Sequence, residues 1–129
     1  MKTTRNPETI HAPAGRYVHQ LEVEHPSKLL FISGQLGIRL DGSVPEDSVD
    51  QLEVALENVV RNLEAAGLET SDLVKTTTYV IAGSPMDLTR RRAVLERIFG
   101  DHVATSTLVY VAGLAAPEYK VEVDAWAAA

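Results

Sequence analysis

The sequence contains no cysteine. That removes disulfides, thiolate metal sites and a cysteine nucleophile together. No stretch approaches the roughly 20 consecutive apolar residues that a membrane-spanning helix requires. The start, Met1 to Glu8, is positively charged but has no apolar run behind it, so it does not read as a signal peptide. Basic residues are few: 12 Lys and Arg stand against 18 Asp and Glu, for a formal net charge of −6 and a pI near 5.1. An acidic chain without a Lys/Arg-rich surface is a poor partner for nucleic acid or an anionic membrane. GxGxxG, Walker, HExxH and GxSxG motifs are all missing. The four histidines, His11, His19, His25 and His102, fall at spacings that suit no local metal motif. A cytoplasmic protein without nucleic-acid or membrane partners is the expectation.

What is present fits one domain over residues 1–129. The hydrophobic share of 45% and charged share of 23% are ordinary for a globular chain large enough to bury a core. Two C-terminal runs alternate and are rich in β-branched residues, Thr105 to Leu114 and Tyr119 to Ala125. The second puts Val121, Val123 and Ala125 on one face and Glu122, Asp124 and Trp126 on the other. Two carboxylates at i and i+2 lie roughly 7 Å apart on one strand face. Such a face meets water, a partner subunit or a ligand.

Residues 1 to 14 read as an extended or irregular arm. Tyr17 to Val23 alternates weakly. Lys28 to Ser33 is nearly all apolar, which predicts a central strand buried on both faces and ending in a glycine-permitted bulge at Ser33-Gly34. A short strand from Leu36 to Leu40 follows. The first helix has Ser48 as its predicted cap, with Gln51 three residues on, and apolar positions recur from Val49 to Ala66 at helical spacing until Gly67. A β run covers Leu73 to Ala82. Ser84-Pro85-Met86-Asp87 predicts the second helix start, and Gly100 its end. Arg90, Arg91 and Arg92 cluster near its beginning, where the helix dipole gives arginine no help, and Arg91 falls on the apolar stripe.

The order β-β-β-α-β-α-β-β predicts an α+β domain, with one six-stranded mixed sheet and both helices on one face. The other sheet face is half apolar, so a homo-oligomer is expected. Ser33 as an isolated nucleophile lacks an evident base and reads better as a bulge residue.

Five segments together resemble a known family. They are Ala14-Gly15-Arg16-Tyr17-Val18-His19-Gln20, then Leu30 to Gln35 with its Ser-Gly-Gln end, then Leu56-x-Asn58-x4-Leu63-x2-Ala66-Gly67. Val74-Lys75-x3-Tyr79 and Val121-Glu122-Val123-Asp124-Ala125 complete the set. In this order, over nearly the whole chain, they resemble the reactive intermediate deaminase (Rid, YjgF-like) family. The resemblance implies a chorismate-mutase-like fold and a homotrimer whose strands form a central barrel, with small-molecule clefts between subunits. It implies hydrolysis of reactive imines or enamines to a carbonyl compound and ammonia, with no cofactor and no metal. By the same resemblance Glu122 is the catalytic, water-holding residue, Tyr17 closes the cleft, and Ser33 and Gly34 form its floor. The family's carboxylate-clamping arginine falls on Ser106. A helix asparagine of the family falls on Arg92, and a proline before the tyrosine falls on Arg16. Either Arg92 or Arg16 supplies the cation from a new place, or the ligand is not a small 2-imino acid. The alternatives to the deaminase are a non-catalytic ligand-binding or regulatory trimer and a pathway-specific hydrolase of a larger substrate.

Overall fold

A computed structural model describes all 129 residues. Six strands and two helices follow one another as β1 (Lys2–Arg5), β2 (Gln20–Val23), β3 (Leu29–Leu36), α1 (Ser48–Ala65), β4 (Leu73–Ile81), α2 (Leu88–Phe99), β5 (Thr105–Val111) and β6 (Val121–Ala128). The order β-β-β-α-β-α-β-β is the expected one, but the strands do not form a single sheet. β3, β6, β4 and β5 make a four-stranded mixed sheet in that spatial order, and β1 and β2 pair as a separate antiparallel ribbon. The first strands also differ from expectation. The segment before Pro7, expected to be irregular, forms β1, because Lys2 to Arg5 finds Gln20 to Val23 as a ladder partner. Residues after Leu36 leave the sheet; the backbone carbonyls of Leu36 and Ile38 are held by the Asn58 side-chain amide on α1.

α1 forms because its apolar positions recur at helical spacing and bury Leu52, Leu56, Val59 and Leu63 against the sheet. Its cap is Asp47, not Ser48. Asp47 has the extended conformation a cap needs (φ −72°, ψ 136°), and its carboxylate accepts from the Asp50 backbone N–H at 3.0 Å. Ser48 is already inside the first turn and buried. Gln51 does not close a capping box either. It is buried, its amide donates to the carbonyls of Pro45 and Glu118 at 2.8 and 2.9 Å, and its oxygen accepts from the Lys120 N–H at 2.8 Å. One side chain thus fixes α1 to the chain that enters β6, two residues before Glu122. Gly67 ends α1 in the left-handed region (φ 73°), with Leu68 and Gly67 N–H groups returning to the carbonyls of Leu63 and Glu64.

α2 begins at Leu88, later than expected. Asp87 is its cap, accepting from the Arg90 N–H at 2.9 Å, and Ser84-Pro85-Met86 precede the helix. Arg97 reaches Glu53 at 3.2 Å and Glu57 at 3.7 Å across the helix pair. The core lies between the helices and one sheet face, built from Ile32, Val80, Val121, Val123, Ala125 and the α1 stripe.

The opposite sheet face carries no helix. β3 is therefore not buried on both sides: Ile32 is 5% exposed, whereas Phe31 is 61% exposed and packs edge-to-face on Trp126, itself 52% exposed, with ring centroids 4.9 Å apart. The pairing of β3 with β6 shifts register between Ile32 and Gln35, so the expected bulge sits at Ser33-Gly34. No helix is long and apolar enough to cross a membrane.

Candidate functional site

The two faces of the sheet carry two different clusters. On the open face, β6 presents Glu122, Asp124 and Trp126, because the inward positions are taken by Val121, Val123 and Ala125, all fully buried. β4 sets Tyr79 opposite Glu122 and Thr77 opposite Asp124. The Tyr79 hydroxyl donates to Asp124 at 3.0 Å. That hydrogen bond, reinforced by the charge of Asp124, raises the phenol above its usual range. Lys75, the only basic residue in the four strands of this sheet, donates to the Thr107 hydroxyl at 2.6 Å.

Glu122 lies directly over the bulge. A Cβ added at Gly34 would meet its Oε1 at 2.2 Å and its Cδ at 2.7 Å. Glycine is required here for space, since Gly34 is not among the residues with positive φ. The bulge leaves Ser33 and Gly34 out of the ladder and exposed. The structure thus brings Gly34 and Glu122 together at a spot where a small electrophile can approach a carboxylate over bare backbone.

Ser106 is not there. It pairs with Thr76, which pairs with Ala125, so Ser106 faces the helix side while Glu122 faces the open side. A cavity of about 240 Å³ on the helix side is lined by Tyr17, Thr76, Thr78, Arg91 and Ser106 among others. Tyr17 reaches it because the N-terminal arm crosses the entry to β5, with the Val18 N–H donating to the Ala104 carbonyl at 3.2 Å. Its hydroxyl accepts from the Ala14 N–H at 3.0 Å. Arg16 donates to the Gly100 carbonyl and lies 5.9 Å from the Phe99 ring centroid. Arg92 is exposed on α2 and lines neither cluster. Within one subunit, then, Tyr17 and Ser106 share a cavity, Gly34 and Glu122 share the opposite face, and Arg92 joins neither pair.

Two residues of these clusters, Lys75 and Tyr79, carried no role in the sequence reading, whereas Arg91 stood there beside Arg92 as a candidate carboxylate or subunit contact. Strand alternation does put Lys75, Thr77 and Tyr79 on one face, and helical spacing does put Arg91 on the inward stripe. Those two patterns are the signals that point to them.

Comparison with known proteins agrees with this architecture. The family described as Endoribonuclease L-PSP matches residues 9–129. The chain belongs to this family, the Rid (YjgF) proteins. A Rid relative from Escherichia coli K12, named 2-iminobutanoate/2-iminopropanoate deaminase, is 34% identical over 129 residues, covering 97% of this chain and 96% of the relative. Among solved Rid structures, YyfB from Yersinia pestis, a protein of unknown function, superposes with a TM-score of 0.86 at 28% identity, over 99% of this chain and 98% of that one. E. coli TdcF, solved with bound serine, superposes with a TM-score of 0.70 at 30% identity, over 98% and 95% of the two chains.

Proposed function

We propose that this Rid-family chain hydrolyses a reactive imine or enamine to a carbonyl compound and ammonia, with Glu122 as the residue that orients and deprotonates water. The observation that carries the reading is the seating of the Glu122 carboxylate on the bare Gly34 backbone. The family's deaminase relatives support it. In the proposed step Glu122 takes a proton from water as the oxygen attacks the C=N carbon, and the nitrogen receives a proton. The resulting amino alcohol collapses to C=O and releases ammonia. An imine is already electrophilic, so positioning and one general base suffice.

The cleft of this proposal is completed between subunits of a trimer whose sheets form a central barrel. Phe31 and Trp126, exposed on the open face of the lone chain, support such an assembly. Ser33, Gly34 and Glu122 would form one wall, and Tyr17 and Arg92 of a neighbouring subunit the other, with Arg92 supplying the positive charge. Ser106 shares the helix-side cavity with Tyr17 and would stand in that second wall beside it. A cytoplasmic site of action completes the reading.

The competing reading is a non-catalytic ligand-binding trimer. It is favoured by one observation: no arginine stands in any of the four main strands, so a strand-borne carboxylate clamp is missing. Ammonia release from imines generated in situ decides between the two. Replacing Glu122 by Gln is expected to lower kcat/KM by about 10²- to 10⁴-fold. No release above buffer across a panel of imines, together with ligands that raise Tm, gives the answer to the binding protein.

A further inference from the structure

Glu122 is held in place without being hydrogen-bonded. It forms no ion pair in its own chain, and the one side-chain hydrogen bond on β6 belongs to Asp124, two residues on. Its carboxylate nevertheless has a definite seat over Gly34, on the β3 side of β6. A glutamate has several freely turning bonds, so something other than a hydrogen bond must confine it. A base that takes a proton from water gains from this arrangement. A donor on its oxygens would occupy the lone pairs that the water needs.

The β4 side of Glu122 belongs to Tyr79. The two residues are directly opposed in the antiparallel register, which sets their Cβ atoms about 4.5–5.5 Å apart. Thr77 is the residue opposite Asp124, yet it is the Tyr79 hydroxyl that reaches the Asp124 carboxylate, at 3.0 Å. The tyrosine therefore runs diagonally over the sheet, starting opposite one carboxylate and ending on the other. All three side chains are half-buried. Both carboxylates hold the phenol above its usual range, Asp124 first through the hydrogen bond and its charge, Glu122 last through its charge alone, with burial between them. Lys75, four residues back on the same face of β4, is engaged with the Thr107 hydroxyl instead.

We propose that Tyr79 is the positioning residue of Glu122: its ring closes the β4 flank of the glutamate, its hydroxyl pins Asp124, and the Glu122 carboxylate is thereby directed onto the bare Gly34 backbone with both oxygens open to water. The proposal rests on the reading of Glu122 as the base of imine hydrolysis. Two carboxylates at i and i+2 on one strand face repel across roughly 7 Å. A pinned Asp124 repels from a fixed place and cannot swing toward its neighbour. Tyr79 touches neither water nor substrate in this role and acts through Glu122. The strand order β3-β6-β4 sets the arrangement, with the base on the middle strand, a glycine floor on one neighbour and a ring on the other.

Steady-state ammonia release by the full chain tests this in two backgrounds. Tyr79→Phe keeps the ring and frees Asp124; it is expected to lower kcat about tenfold while KM stays within about twofold, because a misplaced base slows the chemical step rather than binding. Tyr79→Leu removes the ring as well and is expected to cost on the order of 10²-fold in kcat. In the Glu122→Gln background each substitution should cost less than about twofold, since no base is left to position. A tyrosine that only supports the fold would instead cost the same in both backgrounds. Ultraviolet difference titration of the phenol, read against Tyr79→Phe, supplies a measurement that needs no turnover. Tyr79 should titrate above the usual value of about 10, and its midpoint should fall in Asp124→Asn and, by less, in Glu122→Gln. Equal kcat losses in the two backgrounds, or a loss confined to KM, overturns the proposal and leaves the deaminase reading standing. No ammonia release by the wild-type chain removes the deaminase reading, and the titration then decides alone: a midpoint that moves in both variants upholds the placement of Tyr79 between the carboxylates, and one that moves in neither overturns it.

Discussion

Gly34→Ala isolates the contact on which the proposed chemistry depends. Gly34 has an ordinary backbone conformation that alanine can adopt, so the substitution brings no backbone strain. The obstacle is the Glu122 side chain, whose Oε1, Cδ and Cγ lie 2.2, 2.7 and 3.0 Å from the position of the new methyl group. Reaching an ordinary contact requires the carboxylate to withdraw by more than about 1 Å. The colliding atoms are the far end of a flexible, half-exposed side chain, so the withdrawal is cheap in stability. Alanine also restricts the unfolded chain, which stabilises by about 0.4–1 kcal/mol at compatible sites. Tm is therefore expected to move by no more than a few degrees. Activity is the sensitive quantity, because a misplacement of about 1 Å can cost on the order of 10²-fold in rate. Coupled assay of ammonia release should show kcat/KM lowered about a hundredfold in a chain with wild-type circular dichroism. The double variant Gly34→Ala with Glu122→Gln should lose no more than Glu122→Gln alone, since both act on one group. Wild-type turnover in Gly34→Ala, or fully additive losses in the double variant, would refute the reasoning.

Other consequences follow from the same contacts. Gln51→Leu strands the Lys120 N–H and two carbonyls in the interior and is expected to cost about 2–3 kcal/mol, read by urea unfolding; a loss under 0.5 kcal/mol would contradict the three-way role of this side chain. Asp47→Ala removes the α1 cap at a cost of about 1 kcal/mol near pH 7. The Asp50 N–H and Arg90 hold the Asp47 carboxyl below its usual value of about 3.9, so its contribution is full above that pH and fades as pH falls through the lower folded value. Urea midpoints of wild type and variant should therefore converge in strong acid, and a gap that persists there would count against the cap. Trp126→Glu puts a charge on the exposed apolar sheet face and should convert a trimer to monomers in light scattering; an unchanged trimer would remove this face from the assembly.

The sequence by itself determined whatever depends on local periodicity. The α1 stripe, its stop at Gly67, the bulge at Ser33-Gly34 and the inward Val121-Val123-Ala125 face were all readable. Each is set by residues within a few positions of one another, where 3.6- and 2-residue repeats and glycine's lack of a side chain decide the outcome. The Rid resemblance supplied Glu122 and Gly34 as site residues, and the fold then set them in contact. Tertiary structure decided the rest, because the deciding partners are far apart in the chain. Asp47 displaced Ser48 as the cap because the loop through Pro45 delivers it in an extended conformation. The six strands split into a four-stranded sheet and a ribbon because Lys2 to Arg5 pair with Gln20 to Val23 rather than with the sheet edge. Ser106 and Glu122 each sit on a readable face of their own strand, but whether those faces coincide depends on the parallel register of β5 on β4 and the antiparallel register of β6 on β4. A shift of one residue in either would have put them on the same face of the sheet. The same packing of α2 turns three adjacent arginines into an ion-pair anchor, a half-buried cation without an ion-pair partner and an exposed charge, a division that their adjacency in sequence conceals.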